Sequence, residues 1–263
     1  MLRTVDAMAS EDDFKAYVEW RLNEKGLFER GFIQSLRGMF TQLSLEPRSE
    51  PAYLASFAAL AGGWNTEVGR KLVEEVGVRH IEDIEEADLT TLPEHAEYHA
   101  HRHMNYRDVD IAIESLSSLS CDGTDVSSLS DFVDSVYTQK QLSGSTEAFD
   151  IGMSELKRLD SFGRIAAFDY LEVLTRAHGH DWMAPDQLRL SHIKTSKPRE
   201  TFEKIYNTSV DDPAAQQNLD ELQRWAQLGQ GMDRVEAVFD IESCLCTFES
   251  DLEKGKWSRS DCS

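Results

Sequence analysis

The run Leu156-Lys-Arg-Leu-Asp-Ser-Phe-Gly-Arg-Ile-Ala-Ala-Phe-Asp-Tyr-Leu-Glu-Val-Leu174 holds two helical patterns with a break between them. The first pattern ends near Leu159. Asp160, Ser161, Phe162 and Gly163 read as a tight turn, and a second helix starts at once with Ile165, Phe168, Leu171 and Leu174 on one face. Gly163 is expected at positive φ, because a residue without Cβ adopts that backbone at little cost. Phe162 is expected to plug the space between the two helices. The amides at the start of the second helix then face outward, where they can bind a phosphate. Such a turn, Ser161 to Arg164, grips a nucleic-acid backbone without reading its sequence.

Outward from this hairpin the chain repeats the same period. Phe14, Val18 and Leu22 predict one helix and Phe32, Leu36, Phe40 and Leu43 a second. Residues 52–61 predict a buried helix ended by Gly62 and Gly63, and Val68, Leu72, Val73 and Val76 another ended by Gly77. Further helical patterns cover 80–92, 106–119, 133–142, 148–159, 219–228 and 235–252. The Ser- and Asp-rich run 117–130 reads as a loop. Sustained strand-like alternation is nearly absent, so the expected class is all-α, a compact multi-helix fold in one domain over 1–263.

Bulk properties narrow the setting. At 263 residues the chain can bury a full core. No basic end followed by an apolar run opens it, and its most apolar stretch, 52–64, is too short to span a bilayer. The reading is a cytoplasmic protein with no membrane partner. The net charge of −21 reads as an acidic, solvated surface of the kind that proteins working in molar salt carry. The alternative is a protein that repels or mimics nucleic acid. There are four cysteines, and Cys244 and Cys246 stand one residue apart on a helical pattern, which is poor geometry for a metal. No cofactor and no iron–sulfur cluster is expected.

Three further features bear on function. Pro185 fixes the backbone ahead of Asp186, which is expected to N-cap the next helix and so to present a rigid carboxylate. From Gln187 to Arg199 the chain carries Arg189, Lys194, Lys197 and Arg199 with no acid, a candidate phosphate track. His95, His99 and His103 are four apart and share one helix face, a spacing that can hold zinc, but the rest of a metalloenzyme pattern is missing and the favoured reading is a polar helix surface.

The hairpin resembles that of the helix–hairpin–helix DNA glycosylases, whose pattern is Leu-Pro-Gly-hydrophobic-Gly, a polar residue and an Ala-containing helix. Leu159, Phe162, Gly163, Arg164 and Ala167 match, while Asp160 replaces the proline and Ser161 the first glycine. The resemblance implies a DNA-glycosylase-like fold. It also implies that Asp186, in the place of the family's aspartate beyond the hairpin, stabilises positive charge on a sugar or positions a nucleophile. Strand-cutting members use a lysine where this chain has Ile165, which cannot form a Schiff base, so no lyase activity is expected.

A narrower likeness rests on Phe162-Gly-Arg-Ile-Ala-Ala-Phe-Asp-Tyr-Leu171, Pro185-Asp186 and Asp240-Ile-Glu-Ser-Cys-Leu-Cys246. These are similar to the α-glutamyl/putrescinyl thymine pyrophosphorylases, clade 3, over residues 149–252. That likeness implies displacement of pyrophosphate from a modified, extruded thymine by an amine co-substrate. It carries over Phe162, Gly163, Arg164, Asp169, Tyr170 and Asp186. Asp169, Tyr170 and Trp182 are the expected base-pocket residues. On this reading the chain divides into an N-terminal half, 1–145, without a named match and a glycosylase-like half, 146–252. The alternatives are a monofunctional DNA glycosylase and a non-catalytic helix–hairpin–helix module that binds DNA or a protein.

Overall fold

The computed structural model describes residues 10–25, 28–96, 108–193 and 197–258. The chain is mostly helical, as the hydrophobic period requires. Among the described residues the strands are β1 (Ser120–Cys121) and β2 (Thr124–Asp125), an antiparallel pair with Cys121 opposite Thr124. Asp122 and Gly123 close it at positive φ, the geometry of a two-residue hairpin turn. This small ribbon lies inside the run read as a loop. Among the described residues no helix is long and apolar enough to cross a membrane.

Two compact units emerge: Glu29–Pro185, and Met1–Phe28 together with Asp186–Ser263. Their limits run differently from the halves 1–145 and 146–252.

In the larger unit, α2 (Phe28–Gln42) is followed by α3 (Glu50–Ala61), α4 (Thr66–Lys71), α5 (Val109–Glu114), α6 (Leu129–Ser143), α7 (Ser145–Leu156) and α8 (Arg164–Arg176). Short 3-10 turns at Ile81–Glu86, Leu92–His95 and Asp181–Met183 fill the gaps. Helix α3 is the axis. It is buried on every side from Ala52 to Ala61 and packs against α4, α5, α6 and α8. A helix that is apolar all round belongs in a core. Its one buried acid, Glu50, is not idle. Its carboxylate accepts from the backbone N–H groups of Leu129 and Ser130, both at 2.8 Å, and from the Ser130 hydroxyl at 2.9 Å. Glu50 thus fixes the N-terminus of α6 on α3, where negative charge suits the helix dipole.

The other unit contains α1 (Glu11–Trp20), α9 (Leu190–Ile193), α10 (Lys197–Tyr206), α11 (Ala215–Gly229) and α12 (Arg234–Glu253). Reciprocal capping boxes open α1, through Ser10 and Asp13, and α12, through Asp233 and Glu236. Helix α12 packs against α1, α10 and α11. Phe14 meets Phe248 edge-on at 5.5 Å, and the buried Tyr17 donates its hydroxyl to Asp251 at 2.8 Å.

Candidate functional site

Helix α7 ends at Leu156 and α8 begins at Arg164, so the expected break is present. Phe162 is buried and stacks on Phe57 of α3, with ring centroids 4.6 Å apart and planes 19° from parallel. The backbone of the turn corrects one expectation. Gly163 sits at φ −74 and ψ −174, ordinary extended backbone, and Ser161 is the left-handed residue, at φ 57. The chain reverses two residues earlier than the glycine suggested, which leaves Gly163 as the N-cap of α8. As a glycine it offers no capping side chain of its own, it is exposed, and a Cβ added there would meet nothing within 4 Å. The leading amides of α8 therefore lack an intrahelical acceptor. Two carboxylates attend the same turn: Asp160 is exposed, and Ser161 donates its hydroxyl to Asp108 at 3.3 Å. Lys157, exposed, and Arg158, paired with Glu155 at 2.6 Å, follow the end of α7.

The remaining residues named from the sequence are divided between the two units. Tyr170 is fully buried in the core. Its hydroxyl donates to the Tyr53 carbonyl at 3.1 Å, so no face of it is open to stacking. Asp169, on the same helix, is also buried, at 1% exposure. Every residue from Ala166 to Thr175 is buried, so α8 is packed on all sides along this stretch.

Asp186 belongs to the other unit and does not cap a helix. It lies in a bend, and α9 starts only at Leu190. The amides ahead of α9 are held instead by α11: Gln223 accepts from Leu188 N–H at 2.9 Å and Gln216 from Leu190 N–H at 3.1 Å. The Asp186 side chain is 65% exposed and lies 3.5 Å from Arg234.

Two members of the basic run are paired with acids. Lys197 pairs with Glu200 at 3.1 Å, and Arg199 with Glu203 at 3.1 Å and Asp211 at 3.6 Å. The two glutamates stand three and four residues on, along the same face of α10, and were legible in the sequence. Arg189 precedes α9, and Lys194 lies outside the described residues. Of the histidine run, His95 ends a 3-10 turn and its carbonyl accepts from Asn65 at 2.8 Å, while His99 and His103 lie outside the described residues. Among the described residues no group of three potential ligands could hold a metal ion.

Trp182 does line a cavity, of about 480 Å³, within the larger unit. Its other walls come from Arg48, Tyr53, Ser130, Val133, Asp134, Tyr137 and His180. None of these was singled out from the sequence. The signal was present as His178-Gly179-His180 just after the end of α8. Two histidine hydrogen bonds tie the segment after α8 to α3. His180 Nε2 lies 2.7 Å from the Tyr53 hydroxyl, and His178 Nε2 lies 2.8 Å from the Ser56 hydroxyl. His178 Nδ1 bonds the Pro47 carbonyl, which can only accept, so Nδ1 carries the proton and Nε2 accepts from Ser56. Burial pushes His178 down to about 3, and burial with the nearby Arg48 charge pushes His180 down to about 4, so both rings are neutral near pH 7. Burial lifts Tyr53 to about 12, which keeps its phenol protonated. Arg48 is pinned by Nε to the His178 carbonyl at 3.2 Å and by Nη2 to the Gly179 carbonyl.

No family model matches this chain, and the searches of curated proteins and of solved structures return no match.

Proposed function

We propose that this chain binds DNA through the α7–α8 hairpin without reading its sequence, and acts on an extruded thymine as the resemblance implies. The observation that carries the proposal is the exposed N-terminus of α8, whose N-cap is a glycine, reached from α7 through a turn anchored by Phe162. Backbone amides at the start of a 13-residue helix offer a phosphate both donors and a favourable dipole. Asp108 and Asp160 oppose that grip, so affinity is modest and sensitive to these two charges. In a fluorescence-anisotropy titration with random-sequence duplex, Asp160→Lys should tighten binding at least about fivefold, and Gly163→Asp should weaken it. Absence of binding at low salt by both the parent and Asp160→Lys sinks the proposal. The chemical half is tested by mass spectrometry of nucleosides after incubation with DNA containing a pyrophosphorylated thymine and an amine. Loss of pyrophosphate that Asp186→Asn abolishes supports the Asp186 role.

One observation favours a second reading, binding without catalysis. Asp186 is largely solvent-exposed and pairs with Arg234, whereas a carboxylate that stabilises developing charge works best fixed and shielded from water. Unchanged nucleosides together with hairpin-dependent DNA binding would select this reading.

A further inference from the structure

We propose that the cavity beside Trp182 is a binding site for a small aromatic carboxylate that also carries a hydrogen-bond donor. The cavity lies at the C-terminal end of α8 and the hairpin turn at its N-terminal end, about 20 Å apart at 1.5 Å per residue. The site is therefore separate from the DNA-gripping turn and does not depend on that reading.

Each part of the ligand has a counterpart. Its ring faces Trp182, Tyr137 and Val133. Trp182 meets Tyr137 edge-on at 4.9 Å and 70°, and Tyr137 is 43% exposed, a large aromatic surface left open at the cavity. The walls are mixed, with this aromatic surface beside the polar groups of Arg48, Ser130, Asp134 and His180, and the volume is that of a small-molecule site. The carboxylate faces Arg48. Two of the five guanidinium N–H groups are held by the His178 and Gly179 carbonyls, which fixes the plane and leaves the rest of the fork for a planar oxyanion.

His180 backs the same cavity: its ring is 6% exposed and lines it, and its Nε2 lies 2.7 Å from the Tyr53 hydroxyl. Asp134, on the exposed face of α6, supplies the remaining specificity. Its charge acts at the same Tyr53 hydroxyl as that of Arg48, with opposite sign. It disfavours a bare anion and favours a ligand that can donate to it.

The test uses the full chain and 4-hydroxybenzoate as probe, with benzoate and tyramine for comparison, by isothermal titration and tryptophan fluorescence. The expected order is 4-hydroxybenzoate tighter than benzoate, with tyramine weakest. Arg48→Gln should weaken 4-hydroxybenzoate by about tenfold or more. Trp182→Phe should remove the fluorescence change while heat is still released. Arg48 also holds two carbonyls, so a folding defect in Arg48→Gln is covered by Asp134→Asn on the exposed face. That variant should bring the affinities for 4-hydroxybenzoate and benzoate together. The proposal is overturned if no probe binds at millimolar concentration, if tyramine binds tightest, or if Asp134→Asn leaves the preference unchanged.

Discussion

Phe162 stacks on Phe57 with planes 19° from parallel and centroids 4.6 Å apart, so the turn between α7 and α8 is secured by a ring of the most buried helix in the larger unit. The hairpin is part of the core and not an appendage to it. Each single change, Phe57→Ala or Phe162→Ala, should cost about 3–5 kcal/mol in chemical denaturation. The double variant should lose less than the sum, by about 0.5–1.5 kcal/mol, because both singles remove the same stacked pair. Additive losses would show that the rings stabilise the fold independently.

Gly69 of α4 is placed so that an added Cβ would lie 2.2 Å from the Ala55 carbonyl oxygen of α3. The two helix backbones approach too closely for any side chain. Gly69→Ala should therefore destabilise the protein by several kcal/mol (order of magnitude) or prevent folding, although alanine is the better helix former. Gly38→Ala on α2, where an added Cβ meets nothing within 4 Å, is the control and should be neutral or slightly stabilising. Thermal melts that place both variants beside the parent would contradict the close crossing.

Ser161, and not Gly163, holds the left-handed backbone of the turn. Gly163→Ala should be tolerated or should stabilise by up to about 1 kcal/mol, since alanine adopts φ −74 without strain and restricts the unfolded chain. Ser161→Gly should relieve roughly 1 kcal/mol of backbone strain, less whatever its bond to Asp108 contributes. A marked loss in Gly163→Ala would place the left-handed residue at the glycine after all.

Acid should unfold the larger unit earlier than its carboxylates alone require. His178 has a folded pKa near 3, lowered by burial from an ordinary value of 6.5. Below 6.5 the unfolded state takes up the proton first, so the stability from keeping this ring neutral is fully present above pH 6.5. It is lost as pH falls towards 3. The slope from this group approaches about 1.4 kcal/mol per pH unit between pH 6 and 4, and His180 adds in the same direction. His178→Gln should be less stable at pH 7 and should lose less of its stability on moving to pH 4.5. Parallel pH–stability curves for parent and variant would remove His178 from this role.

The sequence by itself determined the class of the fold and the positions of most helices. Local spacing carries that information: Phe32, Leu36 and Phe40 must share a face wherever α2 lies, and residues 52–61 have no polar face to expose. The break at 160–163 was equally local. Tertiary structure decided which partner each polar group meets. Asp186 was expected at a helix start, but Gln216 and Gln223, far along the chain, took the amides it would have capped. Tyr170 was expected at a pocket, but the close approach of α3 and α8 put it in the core. Arg48, Tyr53 and His180 gave no joint signal, because the bonds that tie Arg48 and Tyr53 to residues 178–180 span 127 to 131 residues of chain. Periodicity reports which side of a helix is buried. It carries no information about which distant residue waits there, and the cavity at the end of α8 exists only once α3 and α6 have packed beside it.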